Sequence, residues 1–454
     1  MTDRAAEEQR SMRDAVRVYL TPVMLSMLVL GFASGLPLYM VFQKLSFWLR
    51  DAGIDRSTIG FFYWVTLSYT LKFLWAPVVD RVRVPFLYSL LGPRRSWIVT
   101  AITGTVIGLI IISQTDPTAS LLPVAIAALL LAYSGATLDV AIDAWRIESA
   151  PTEMQANMAA AYSLGYRVAY LTSGLGLAIA GLADWDISFL AMAAAMAISA
   201  GLVFFMKEPA AGVAKRALEG SFGVKVVRAV VEPFKQILGR LGLWFVPVIL
   251  LVAIYRLSDF TMGVMASPLY SDIGFDKVIV GSVQGGPGLA ATIFGLFLGG
   301  VAAYRFGLMR ALVIGLIITF VTNGAYAWLA ATAGSEDIWK LTMAIVGDNV
   351  AGGFVTTVFI AYLSSLVDPA NAATQYALLS SFYGFFAKFL SGFSGVLADA
   401  VGYVNFFLIT AAWTFPAALL LAVIVMRGSV AAQGRFKFDE RRLAEDEDVA
   451  PKPT

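Results

Sequence analysis

Long stretches without one charged side chain recur along this chain, and they restrict its fold before any motif is considered. They run Val18–Gln43, Ser96–Thr115, Ala119–Leu138, Ile187–Met206, Val278–Tyr304, Ala311–Ser335, Asn349–Val367 and Ala400–Met426. A helix needs roughly 20 apolar residues to cross a bilayer, and only helices or closed barrels satisfy their backbone there. A barrel would show short segments of alternating polarity, not continuous apolar runs. Composition agrees: 59% of the 454 residues are apolar and 14% are charged, against about 25% charged in a soluble domain. The chain reads as an all-α polytopic membrane protein.

Twelve spans accommodate the runs, near 19–45, 57–79, 96–113, 119–145, 156–182, 187–206, 243–270, 278–302, 310–331, 338–365, 372–398 and 403–426. With a cytoplasmic N-terminus, 24 of the 33 Lys and Arg fall on the cytoplasmic side. Five fall on the far side (Lys44, Arg50, Arg56, Lys277, Lys340) and four inside spans (Lys72, Arg167, Arg256, Lys388). Such asymmetry places both termini in the cytoplasm. The expected organisation is an N-terminal arm (1–18), a six-helix half (19–206), a basic cytoplasmic linker (207–242), a second six-helix half (243–427) and a C-terminal tail (428–454). The linker is either a solvated connection or a surface helix with Phe222, Val226, Val227, Val230 and Phe234 against lipid. The first 17 residues carry acids and arginines without an apolar core or cleavage site, so the first helix reads as a retained span rather than a signal peptide.

The chain also repeats itself. Asp51-Ala-Gly53-Ile-Asp55-Arg56-Ser-Thr-Ile-Gly60, between spans one and two, returns 221 residues later as Asp272-Ile-Gly274-Phe-Asp276-Lys277-Val-Ile-Val-Gly281, between spans seven and eight. Span five, with Gly165 and Ser173-Gly174-Leu-Gly176, is echoed by span eleven, with Gly384 and Ser391-Gly392-Phe-Ser-Gly395. Two parallel repeats with a site between them are a secondary-transporter pattern. Enzyme classes recede at the same time. With no cysteine and no histidine, there is no disulfide and no thiolate or imidazole metal site. No catalytic group, metal or cofactor is expected, and proton chemistry falls to carboxylates, Lys or Tyr. The glycine-rich Gly285-Gly286-Pro287-Gly288 and Gly352-Gly353 lie inside spans and lack the Lys-Ser/Thr of a phosphate loop.

The loop after span two reads Trp75-Ala-Pro77-Val-Val-Asp80-Arg81-Val-Arg83, then Gly92-Pro93-Arg94-Arg95-Ser96-Trp97. This resembles the cytoplasmic signature of the major facilitator superfamily, with Trp75 or Ala76 in place of its usual glycine. The resemblance implies a charge network that closes the cytoplasmic side in one state. A narrower likeness rests on Gly31-Phe-Ala-Ser-Gly35-Leu-Pro37-Leu, Ser57-Thr-Ile-Gly60-Phe-Phe, Tyr69-Thr-Leu-Lys72-Phe-Leu-Trp75-Ala-Pro77, Asp139-Val-Ala-Ile-Asp143-Ala-Trp145-Arg146 and Gly165-Tyr166-Arg167-Val-Ala. Together these resemble the AmpG branch, the inner-membrane muropeptide permeases. The likeness covers nearly all of the first half and thins in the second. There Asp348-Asn349 stands where the branch is best known with Glu-Asn. The resemblance implies uptake of N-acetylglucosamine–anhydro-N-acetylmuramic acid, with or without stem peptide, together with protons. It also implies that spans one, four, seven and ten line the cavity.

Charge inside spans is costly and marks function by default. Lys72 lies eight residues before Asp80, about 12 Å into the membrane at 1.5 Å per residue, and Asp139 sits at a similar depth, so the two are within reach as an ion pair. Asp139, Asp143 and Arg146 share one helix face. Asp143, Arg146 and Glu148 lie near the cytoplasm, as gate partners for Arg81, Arg83 or Arg95, with Asp80. Arg167 stands mid-membrane beside Tyr162, Tyr166 and Tyr170. A guanidinium there binds carboxylates bidentately and tyrosines offer sugars a ring face and a hydroxyl; a structural ion pair is the alternative. In the second half, Arg256 and Asp259 share a face, Asp348 and Asn349 lie in span ten and Lys388 in span eleven. The substrate site is expected to comprise Arg167, Arg256, Lys72, Lys388, Tyr166, Tyr170, Tyr133 and Asn349. Asp348, Asp259 and Asp139 are the proton-site candidates, and Asp80, Arg81, Arg83, Asp143, Arg146 and Glu148 the cytoplasmic gate.

The reading is therefore a proton-coupled importer of anionic muropeptides, monomeric, in a bacterial inner membrane, its partners being the substrate, protons and lipid rather than nucleic acid. The rivals are a permease of the same fold for acetyl-CoA, a sugar acid or drugs and, in another class, a membrane-embedded enzyme or receptor. Neither of the latter has a catalytic constellation or extramembrane domain in this sequence.

Overall fold

The computed structural model describes residues 20–149, 154–209, 235–367 and 372–427. The N-terminal arm, the linker stretch with Phe222–Phe234 and the C-terminal tail lie outside the described residues. The helices, in chain order, are α1 (Pro22–Asp51), α2 (56–81), α3 (Leu87–Ser113), α4 (Leu121–Ser149), α5 (Gln155–Leu182), α6 (Trp185–Val203), α7 (Lys235–Ile273), α8 (Lys277–Phe306), α9 (Leu308–Thr332), α10 (Ile338–Ser365), α11 (Ala372–Ser391) and α12 (Ser394–Arg427). Among the described residues, nine helices are long and apolar enough to cross a membrane, all of these except α2, α5 and α11. All three are less apolar: α2 carries Tyr63, Trp64, Ser68, Tyr69, Thr70 and Lys72, and α5 and α11 carry Arg167 and Lys388 among small and polar residues. Two 3-10 turns, Tyr63–Thr66 and Lys72–Leu74, also interrupt α2.

Several boundaries differ from the sequence reading: α3 begins at Leu87 and α7 at Lys235, well before the expected 96 and 243. Helix α1 does not end near residue 45; it continues to Asp51 because Leu45, Phe47, Trp48 and Leu49 extend its buried face into the core. Lys44 is thus a helix residue, 2% exposed, and not a far-side loop charge. Helix α12 contains a break at Gly402, whose φ of 76° only glycine adopts readily. The break falls between the eleventh and twelfth expected spans. π-helical turns interrupt α1 at Met40–Lys44 and α8 at Gln284–Gly288; such turns frequently mark functional positions.

One apolar core is continuous across both halves of the chain, joining residues between Met24 and Met206 to Met262–Ile345 and Ala398–Phe407. A second core, between Ile237 and Ile424, belongs to the second half alone. The second-half members of the shared core lie toward the repeated loops, so the halves are fused at that end. The repeats explain the fit. A Cβ on Gly60 would stand 2.6 Å from the Gly392 carbonyl oxygen and 2.9 Å from the Gly395 nitrogen, and one on Gly281 2.6 Å from the Gly174 carbonyl oxygen. The glycines of the first repeat pack on the glycine pairs of the second, each across the boundary between halves. Small residues bring membrane helices close where apolar side chains gain nothing over lipid.

Candidate functional site

A cavity of about 260 Å³ lies between the halves. Tyr39, Gln43, Arg167 and Tyr170 contribute from the first half, and Ser267, Tyr270, Gln284, Tyr326, Asp348 and Asn349 from the second. Tyr39 meets Tyr170 edge to face at 5.0 Å, and the hydroxyls of Tyr270 and Tyr326 are hydrogen-bonded to each other. Asn349 is held by Thr292 Oγ1, 2.8 Å from its Oδ1, and donates to the Ile345 carbonyl at 2.7 Å. Arg167 and Asp348, by contrast, form no ion pair or hydrogen bond with any described residue, and the buried Oε1 of Gln43 has no partner. A guanidinium, a carboxyl and an amide oxygen thus face one small space with hydrogen-bonding capacity to spare. A buried polar atom such as the Gln43 oxygen is rarely left so. The arrangement suits a ligand presenting a carboxylate to Arg167 and N–H or O–H donors to Gln43, with tyrosine rings to receive a sugar face. Of the expected site residues the cavity unites Arg167, Tyr170, Asp348 and Asn349.

The remaining candidates stand elsewhere, already engaged. Lys72 Nζ is 3.1 Å from Asp139 and 4.0 Å from Asp143. Asp139 also accepts from Ser34, whose Oγ is 2.9 Å and 2.8 Å from the hydroxyls of Tyr162 and Tyr166. The Lys72–Asp139 pair anticipated from depth is therefore formed. Arg256 pairs with Asp259 at 2.5 Å. Lys388 Nζ reaches across the halves to Thr70 Oγ1 at 3.0 Å and the Thr66 carbonyl at 3.3 Å. Tyr133 packs on Trp75, with ring centroids 4.9 Å apart, and is half-exposed.

At the end with the repeated loops, two clasps join the halves with near two-fold correspondence. Asp51 accepts from Trp185 Nε1 of its own half at 2.7 Å and pairs with Lys277 of the other at 2.6 Å. The ammonium of Lys277 lies 5.4 Å from the centre of that Trp185 ring. Asp272 likewise accepts from Tyr403 Oη of its own half at 2.7 Å and faces Arg50 and, at 4.0 Å, Arg56 of the other. The Arg56 guanidinium lies 4.5 Å above that Tyr403 ring, and 3.2 Å from Asp399. Each repeat's first carboxylate takes the other repeat's cation, which in turn covers the aromatic ring the carboxylate holds. The second carboxylates serve locally: Asp55 caps α2 through the Thr58 N–H, and Asp276 caps α8 through the Val278 and Ile279 N–H groups. Gly53 and Gly274, with φ of 84° and 85°, supply the turns.

The opposite end is built differently. Arg94 holds Glu148 bidentately, at 2.6 and 2.9 Å, a partner not named among the expected Arg81, Arg83 and Arg95. Glu208 takes the backbone N–H of Arg94 and Arg95 at 2.6 and 3.1 Å. Burial nevertheless holds its carboxyl above the ordinary range. Arg146 approaches Asp143 at 3.6 Å, and Arg83 lies over the Tyr88 ring at 4.9 Å. All these contacts stay within the first half and the start of the linker. The side chains of Asp80 and Arg81 lie outside the described residues. Among the described residues no ion pair joins the halves at this end, whereas four do so at the clasped end.

The clasp residues were not among the expected site residues. The repeat D-x-G-x-D-[RK] pointed to them, but only as evidence of duplication; that its acid and base exchange partners requires the two loops to meet in space.

The Major Facilitator Superfamily profile matches residues 23–347 and 248–446. The chain is 33% identical over 414 residues to the anhydromuropeptide permease of Escherichia coli K12, covering 90% of this chain and 81% of that one. It is 32% identical over 396 residues to the putative transporter AmpG 4 of Rickettsia felis, covering 87% and 94%. Among solved structures it resembles the nucleoside transporter NupG, with a TM-score of 0.64 at 15% identity over 89% of this chain and 99% of that one. It also resembles a bacterial homologue of the human lysosomal transporter Spinster, with a TM-score of 0.64 at 16% identity over 94% and 100%.

Proposed function

This chain belongs to the AmpG branch of the major facilitator superfamily, a multi-pass membrane transporter and not an enzyme, and on that premise we propose that it imports anhydro-muropeptides with protons. The observation that carries the proposal is the 33% identity to an anhydromuropeptide permease over 90% of this chain. The cavity supports it: an uncommitted guanidinium among tyrosines suits an acidic sugar. On this reading the chain crosses a bacterial inner membrane twelve times with both termini in the cytoplasm, as two six-helix halves (19–206 and 243–427). The clasped end faces the periplasm. Arg167, Tyr170 and Asn349 hold the ligand in the cavity. Lys72, Arg256, Lys388, Tyr166 and Tyr133 line its route as the halves rock and pairs exchange. Asp348 carries the proton, with Asp259 and Asp139 as further stations. The cytoplasmic gate comprises Asp80, Arg81, Arg83, Asp143, Arg146 and Glu148, its contacts to the second half forming only after the clasps open.

The test is uptake of labelled GlcNAc-anhydroMurNAc, with and without stem peptide, into proteoliposomes under an inward proton gradient. Accumulation above equilibrium is expected for the wild type. Asp348→Asn should equilibrate the label without concentrating it. Turnover of another solute with no muropeptide uptake would overturn the substrate; undiminished accumulation by Asp348→Asn would remove Asp348 as the proton carrier.

A further inference from the structure

Lys44 is the buried charge for which the reading so far has no use. It is 2% exposed, it ends the π-helical turn Met40–Lys44, and no carboxylate of a described residue lies within ion-pair reach. Its Nζ donates instead to Gln284 Oε1 of the other half, at 2.9 Å. Gln284 opens the second π-helical turn, Gln284–Gly288, and lines the cavity. The two π turns therefore meet across the boundary between halves, joined by one charge-assisted hydrogen bond. Along both helices the bond lies on the clasped side of the cavity: Lys44 follows Tyr39 toward the loop of Asp51, and Gln284 precedes Thr292 on the way from the loop of Lys277. The bond leaves Gln284 one polar function, its amide N–H₂, without a described partner, in the same cavity as the orphan oxygen of Gln43.

We propose that Lys44 is a positioning residue that holds Gln284 as the roof of the ligand cavity, closing it toward the clasped end and presenting the Gln284 amide to the ligand. The physical case is the cost of the arrangement. An ammonium buried in a membrane protein with only an amide for a partner is expensive, and a glutamate at position 284 would relieve it. An amide there is neutral, so the roof does not repel an anionic ligand. The bond is also weaker than an ion pair, so it can release when the halves part. This rests on the cavity being the ligand site, but the test does not require the ligand to be known.

The chain has no cysteine, so Ser267→Cys places a single thiol in the cavity. A membrane-impermeant maleimide is applied from the face bearing loops 51–56 and 272–277, and the rate of modification is read. Lys44→Met should raise that rate about fivefold or more, and Lys44→Arg should restore it. Gln284→Glu, which converts the bond to an ion pair, should lower it. Opposite signs for Lys44→Met and Gln284→Glu would not follow from general destabilisation. Equal rates for Ser267→Cys with and without Lys44→Met, or acceleration by both Lys44→Met and Gln284→Glu, would overturn the proposal. In the uptake assay Lys44→Met should raise KM, and Gln284→Leu on that background should add nothing further; multiplicative effects would also overturn it. Absence of muropeptide uptake in the wild type would count against the substrate and leave the labelling result to decide Lys44.

Discussion

The two ends of the molecule use the same residue types for opposite purposes. At the clasped end Asp51, Asp272 and Asp399 find their cations in the other half. At the opposite end Glu148 and Asp143 find theirs, Arg94, Arg146 and Lys72, in their own half. An ion pair within one half moves with it and cannot sense how the halves are arranged. A pair between halves exists in one arrangement only and therefore biases it. The structure is accordingly held shut at the clasped end, by charge pairs, glycine contacts and one continuous apolar core. Its other end is ordered but not tied by ion pairs among the described residues.

The comparison breaks most visibly if the clasped end need not open. With Asp51→Cys and Lys277→Cys joined by a short bis-thiosulfonate, uptake should fall to background and return with reductant; transport by the cross-linked protein would show that this end does not gate. Next in size is the cavity itself. Arg167→Ala removes a charge-assisted contact worth about 1.5–3 kcal/mol, so KM should rise roughly 10- to 100-fold; an unchanged KM would take Arg167 out of the site. The smallest effect sharpens the contrast. Ion pairs that keep contact with solvent are worth up to about 1 kcal/mol, so Asp272→Asn should speed thiol labelling of Ser267→Cys from the clasped face by at most about fivefold. Glu148→Gln, which loosens a pair within one half, should leave that rate alone. If Glu148→Gln shifted it as much, the distinction between ends would fail.

Much of this was legible in the chain. Charge-free runs reported the helices, because lipid admits no other open backbone. Depth counting brought Lys72 to Asp139, since the 3-10 turns of α2 change its rise per residue too little over so short a stretch to separate them. Arg167 and Asp348 could be named because a charge at mid-membrane is rare. Lys44 was missed for a related reason: a cation near a span's end looks like a snorkelling loop residue until the helix proves to continue past it. Arg94 was missed as a partner of Glu148, because neighbours in sequence such as Arg94 and Arg95 leave a helix in different directions.

What the sequence determined by itself is class, duplication and the inventory of costly charges, all of which follow from one-dimensional spacing. Only the tertiary structure decided which of those charges are spent on each other. Lys72 with Asp139 and Arg256 with Asp259 are matched, whereas Arg167 and Asp348 face the cavity without partners among the described residues. It also decided that the repeated acids and bases exchange partners across the halves. Pairing depends on distances of a few ångströms between helices far apart in the chain, and electrostatic energy falls too steeply with separation for spacing alone to reveal it.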